Sequence, residues 1–220
     1  MRTIVIGRNS KVWRALAVRA DVSGAGVVAI GHADVATFAL APDDRVVVLS
    51  YSRQPAENTA LLQEIASRRV ARCVYVSTAT TNVVPVTACY EYPRVKHEAE
   101  EAAVRLCGAQ VLRIGIVYGD ESELPGGASV ATSLDDLASF LIEPDRFPEP
   151  PQEVRLFSVK QRRFSRAIER WCFVAYGWAV RLSGPYPCLL RPVDVVCRVL
   201  GWRWYGYVFL SNRLWISTIS

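Results

Sequence analysis

Short, nearly uninterrupted apolar runs alternate along the first half of the chain with longer stretches whose apolar positions recur every three or four residues. Thr3-Ile4-Val5-Ile6 reads as a buried strand closing at Gly7, and Lys11 to Ala20 as the helix after it. Gly26 to Ile30 and Val46 to Leu49 are further strand-like runs. A helix from about Ala56 to Arg68, a strand Cys73 to Ser77, a helix from about 93 to 106 and a strand Val111 to Ile116 follow. β-branched runs of this length separated by amphipathic helices predict an α/β fold, a doubly wound parallel sheet covered on both faces. Ligands of such sheets bind at the carboxyl ends of the strands. The chain between the second and third runs is short for a full helix plus strand.

After Gly119 this rhythm dissolves. Pro125-Gly126-Gly127 reads as a turn and Ser133 to Ile142 as a short helix capped by Ser133. Pro144 to Pro151 reads as a proline-rich connector. Arg162 to Leu182 reads as a helix with Phe164, Ile168, Trp171 and Ala175 as its apolar stripe, stopped by Gly184-Pro185. We therefore divide the chain into a nucleotide-binding unit, residues 1–120, and a small, atypical C-terminal lobe, residues 121–220.

Charge sharpens the contrast. The net charge of +5 is the sum of −3 over residues 1–150 and +8 over residues 151–220, where 11 basic side chains face only 3 acidic ones. Five of the six tryptophans lie in that last part. The six cysteines are scattered without a C-x-x-C pair, which argues against zinc and a disulfide framework and fits a reducing cytoplasm. No signal segment and no membrane-spanning run is visible.

One stretch carries chemistry. In Tyr92-Pro93-Arg94-Val95-Lys96, Pro93 fits the first turn of a helix, and Tyr92 and Lys96 fall one turn apart on one face. A phenol beside an ammonium is a proton-transfer pair, because the cation favours phenolate.

Taken in order, the pieces resemble the extended (atypical) short-chain dehydrogenase/reductase family, particularly its NAD-dependent epimerases, dehydratases and sugar reductases. Thr3 to Gly7 and the next helix are similar to the family's cofactor-binding turn. The run Asp44 to Ser50 is similar to the strand bordering the cofactor, and Asn58 to Leu62 to the helix bearing a structural asparagine. Val74 to Thr80 resembles the strand end with the catalytic Ser or Thr, Tyr92 and Lys96 the Y-x-x-x-K pair, and Arg113 to Gly119 the R-x-x-x-x-Y-G segment. The resemblance covers roughly residues 1–120. It implies a Rossmann-like fold, NAD or NADP as cofactor, a nucleotide-sugar substrate and a homodimer through helices flanking the sheet. It also implies roles: Tyr92 as acid/base, Lys96 as its activator and ribose ligand, Thr78 or Ser77 as donor to the substrate oxygen.

The phosphate loop departs from the family. Where G-x-x-G-x-x-G is expected the chain has Gly7-Arg8-Asn9-Ser10-Lys11-Val12-Trp13. Ser10 can bond a phosphate, and Arg8 and Lys11 are either phosphate-binding cations or solvated charges. Trp13 must push the helix off the sheet or fill cofactor space. Asp34 reads either as acceptor for the adenosine ribose or as a helix N-cap, and His32 as a turn residue. Among the basic and aromatic residues after 150, three readings stay open: diphosphate and sugar recognition, an interfacial helix on an anionic inner membrane surface, or an aromatic core with a basic exterior. Nucleic acid is not expected. The alternative to an enzyme is a catalytically degenerate scaffold or regulator, peripheral on that membrane.

Overall fold

The computed structural model describes residues 2–143, 153–183, 186–200 and 205–219. The expected proline-rich connector and the Gly184-Pro185 stop lie outside them. The strands are β1 (Thr3–Ile6), β2 (Val28–Ile30), β3 (Arg45–Val48), β4 (Arg72–Thr78), β5 (Gln110–Ile114), β6 (Ile116–Tyr118), β7 (Gly127–Ser133), β8 (Glu153–Leu156) and β9 (Ser158–Arg162). The helices are α1 (Lys11–Ala17), α2 (Ala20–Gly24), α3 (Pro55–Ser67), α4 (Glu91–Cys107), α5 (Leu134–Ile142), α6 (Ala167–Leu182), α7 (Arg191–Val199) and α8 (Gly206–Ile219).

Six strands form a parallel sheet in the order β2-β1-β3-β4-β5-β8. The fold is α/β, Rossmann-like and doubly wound. Alternate side chains face opposite ways along each strand. Ile4, Ile6, Val46, Val48 and Tyr75 pack against Leu61, Leu62 and Ile65 of α3 and Ala99, Ala102 and Ala103 of α4. Val5, Val47, Val74, Val76 and Leu112 pack against Trp13 and Leu16 of α1, Val22 of α2, and Leu137, Phe140 and Leu141 of α5. Ser133 caps α5 as expected, its hydroxyl accepting from the Asp136 N–H at 3.0 Å.

Four local expectations are corrected. The helix foreseen over Lys11–Ala20 breaks at Val18 and Arg19, where Arg19 turns extended and its guanidinium bonds Asp21 and Asp135. No α-helix separates β2 from β3, so Asp34 is no α-helix N-cap; it accepts the Gly31 N–H at 2.9 Å within a turn. The run Val111–Ile116 is not one strand. β5 ends at Ile114, and Gly115 leads the chain into β6 of a second sheet, ordered β6-β7-β9, because a Cβ at Gly115 would collide with the Val130 backbone. Finally, the helix foreseen from Arg162 begins at Ala167, and Arg162 closes β9. The stripe of Ile168, Trp171 and Ala175 points to solvent. What α6 buries is Tyr176 and Val180, with Cys172, Phe173 and Ala179 beside them.

The last three helices form an arm held by one buried carboxylate. Asp194 of α7 accepts the Tyr176 hydroxyl proton from α6 and the Gly206 N–H from the start of α8, the latter at 2.8 Å. α8 then lies on the 3₁₀ turn Ala79–Val83 that follows β4. The Trp215 indole N–H and the Ser211 hydroxyl both donate to the Ala79 carbonyl, at 2.8 and 3.1 Å.

Candidate active site

β4 delivers Ser77 and Thr78 to the carboxyl edge of the sheet, and α4 brings Tyr92 and Lys96 over that edge. α4 forms where its composition predicts, with Pro93 in its first turn and Gly108 at a left-handed C-cap (φ 58°). Thr78 and Tyr92 line the same cavity, Thr78 lowers the pKa of the phenol, and Thr78 Oγ1 meets Thr80 Oγ1 at 3.1 Å. Tyr51 and Tyr207 stand against the Tyr92 ring, with centroids 5.4 and 5.8 Å away. About a third of Tyr92 stays accessible, but its hydroxyl end is crowded. Burial raises its pKa to about 12, Tyr51 adds to the rise, and Thr78 opposes it.

Lys96 is fully enclosed. Its ammonium donates to the Val76 carbonyl at 3.2 Å and lies 4.9 and 5.1 Å from the ring centres of Tyr51 and Tyr75. Burial lowers its pKa to about 8, and Glu100 partly offsets that. The structure thus places the two residues of the motif on one helical turn, but Lys96 is not among the groups that shift Tyr92. Ser77 is buried, and its Oγ has no hydrogen-bond partner, as has the Tyr75 hydroxyl. Such orphaned polar atoms ask for an unseen partner.

The remaining expected residues gather along the neighbouring strand ends. Gly7 follows β1 with φ 126°, and a Cβ there would stand 2.9 Å from the Ser50 nitrogen, so only glycine fits. Arg8 and Asn9 complete the turn, and Lys11 opens α1. The Ser10 hydroxyl accepts the Trp13 N–H at 3.0 Å as N-cap, which leaves its own proton free to donate. Trp13 lies under α1 in the core, where the facing strand positions are the small residues Val5, Val47 and Val74. The ring is therefore part of the core between α1 and the sheet. Asp34 pairs with Arg8 at 3.4 Å, both half-exposed. His32, read as a turn residue, reaches Ser50 Oγ at 3.1 Å. Asn58 is the structural asparagine that the resemblance implied: its amide exchanges two 2.8 Å bonds with the Ser52 backbone and ties the β3 loop to α3.

A cavity of about 240 Å³ opens beside Thr78 and Tyr92, lined also by Gly115, Tyr205, Tyr207, Ser211 and Asn212. The last four were not foreseen as site residues. Nothing in the spacing of Tyr205 and Tyr207 from Tyr92 betrays that α8 returns to the site. Asn212 bonds the Val130 N–H at 3.1 Å, and Trp215 stacks on Phe157 with Arg155 over its ring, so α8 is anchored on both sides of the cavity.

Solved structures share this fold. A dTDP-4-dehydrorhamnose reductase from Bacillus anthracis, determined with NADP, is similar with a TM-score of 0.56 at 10% identity, over 79% of this chain and 80% of that one. A UDP-N-acetylglucosamine 4-epimerase from Bacillus cereus is similar with a TM-score of 0.54 at 15% identity, over 80% and 85%. An NAD-dependent NDP-hexosamine 5,6-dehydratase of tunicamycin biosynthesis is similar with a TM-score of 0.52 at 17% identity, over 71% and 75%. No protein-family profile matches the chain, and no curated protein matches it in sequence.

Proposed function

We propose that this chain is an NAD(P)-dependent oxidoreductase or epimerase of the extended short-chain type, acting on a nucleotide-activated sugar. The observation that carries the reading is the convergence of Thr78, Tyr92 and Lys96 at the carboxyl end of β4, beside a cavity. Similar solved structures include sugar-nucleotide enzymes with NAD or NADP, and that supports the same class.

The residues fit a dinucleotide. Gly7 leaves a cradle against Ser50 that a side chain would fill, Trp13 is withdrawn into the core, and Ser77 and Tyr75 hold unpaired buried oxygens. Gly7, Arg8, Asn9, Ser10 and Lys11 would hold the pyrophosphate, and Asp34 an adenosine ribose hydroxyl, with Arg8 placed for a 2′-phosphate. NAD(P) supplies hydride transfer when bound. Lys96, whose ammonium donates to the Val76 carbonyl, would be the ribose ligand that the resemblance implies. Thr78 would donate to the substrate oxygen and hold it against Tyr92. Burial holds Tyr92 as a phenol at neutral pH, in which form it would give a proton to a carbonyl oxygen in the reductive direction.

Titration of the purified chain with NADH and NADPH, followed by nicotinamide fluorescence, tests this reading. Saturable binding of either is expected. No binding of either cofactor at millimolar concentration overturns it. One observation favours a second reading, a catalytically silent scaffold: the Lys96 ammonium faces Val76 and two rings, and burial drives Tyr92 away from phenolate. A Tyr92→Phe protein with undiminished biological activity would select the scaffold.

A further inference from the structure

α6 is apolar on two sides. Its inner face carries Phe173, Tyr176 and Val180, whereas Ile168, Trp171, Trp178 and Leu182 on the outer face are 62, 73, 56 and 82% exposed. With Val174 and Ala175, also exposed, these residues fall within about 120° of arc on a helix of about 100° per residue. No charged residue lies inside that arc. Arg170 and Arg181 stand along one border of it, and the Arg181 guanidinium sits 5.4 Å from the Trp178 ring centre. At the N-terminal end Arg163, Arg166 and Arg170 line an open cleft with Phe164, and none of the three has an ion-pair partner among the described residues. α7 repeats the theme: Val195, Val196 and Val199 are exposed while Asp194 and Cys197 are buried.

We infer that the outer face of α6 is a docking surface for an anionic lipid bilayer, with the helix lying in the plane of the interface. Tryptophan rings rimmed by arginine match the boundary between acyl chains and phosphate headgroups. No helix among the described residues is long and apolar enough to cross a membrane, so attachment is by one face. A second copy of the chain is a poor occupant. A two-fold contact between antiparallel α6 helices would set each arginine border against its own image. The acids of residues 151–220 offer little to neutralise it: Glu153 is paired with Arg113 and Arg155, Asp194 is buried, and Glu169 bonds Ser165. Lipid phosphate supplies the missing counter-charge. The inference stands on α6 alone and does not require the catalytic reading.

The full-length chain should be sedimented with phosphatidylcholine vesicles with and without one-third phosphatidylglycerol, and its tryptophan emission recorded. Binding to the anionic vesicles, a blue shift and weakening by salt are expected. Trp171→Glu/Trp178→Glu and, separately, Arg166→Glu/Arg170→Glu should each weaken binding by about tenfold or more. Circular dichroism and urea unfolding report whether these variants keep their fold. Failure of the wild-type chain to bind anionic vesicles at low salt, or unchanged binding by both double variants, overturns the inference. So does a dimer in solution that the tryptophan substitutions dissociate while lipid binding is absent. Tyr92→Phe should bind vesicles like the wild type, which separates this outcome from the fate of the enzymatic reading.

Discussion

α4 and α6 are almost the same length, 17 and 16 residues, and each presents one side to a packed core. They differ in what the other side carries. α4 buries Val95, Ala99, Ala102 and Ala103 and turns Arg94, Glu98 and Glu101 to solvent. α6 buries Tyr176 and Val180 and turns tryptophans, isoleucine and leucine outward. A one-faced helix is finished by the sheet it covers. A two-faced helix is finished only by something beyond its own fold. The proposed chemistry sits on the first kind and the proposed docking surface on the second.

The comparison can be broken most forcefully at the inner face of α4. If Tyr92 and Lys96 work as proposed, Tyr92→Phe should lower turnover by about 10²–10⁴-fold with cofactor binding retained. Turnover within tenfold of wild type would remove chemistry from α4. Next in size is the tie that holds the arm. Asp194→Ala leaves the Tyr176 hydroxyl and the Gly206 N–H without their acceptor, and should cost about 3 kcal/mol in urea unfolding.

A smaller effect reads the enclosure of Lys96. Its pKa is lowered in the folded chain to about 8, so the unfolded chain binds more protons between that pH and its ordinary value of 10.5. The Lys96 contribution therefore rises as pH passes upward through 8, while the buried thiols of Cys73 and Cys197, raised by hydrogen bonding and burial, pull the other way toward pH 9 and above. Tyr92, held near 12, begins to reverse the trend above its ordinary value of 10. Between pH 8 and 10 the Lys96 share should be about 2 kcal/mol, read as the difference in urea-midpoint change between the wild type and Lys96→Met. The smallest effect sharpens the contrast of outer faces. Glu98→Ala removes a half-exposed partner of Arg94 and should change stability by less than about 0.5 kcal/mol.

Five strands of the sheet were legible because they are β-branched runs, whereas β8, Glu-Val-Arg-Leu, was not. The shared turn of Tyr92 and Lys96 and the place of Thr78 at a strand end were legible because both are local patterns. Trp13 could not be placed locally: its ring is buried in a cluster that includes Val5, Val47 and Val74, and no window around residue 13 contains them. The stripe on α6 is a different lesson. Its period was right, but periodicity reports that a face is apolar, not which way the face turns. Only the buried Tyr176 and Val180 settle that. Tyr207 and Ser211 reach the cavity through a tertiary contact between α8 and the turn after β4, some 130 positions apart in the chain (Ser211 to Ala79 is 132). No spacing rule spans that distance.

β8 carries a consequence for how the molecule is made. It pairs with β5 along Val111–Ile114, yet Glu153–Leu156 come 39 residues after Ile114 in the chain, counting to Glu153. On a ribosome the first five strands of the sheet can therefore assemble while β5 still shows a bare edge. Unpaired backbone on such an edge invites strands from other chains. Long-range pairing of this kind is also slow to form. The interval before residue 156 emerges is thus the time at which this chain is most exposed to aggregation. A truncation ending just after Ile142 should be recovered mainly as insoluble protein, and one that includes β8 should not.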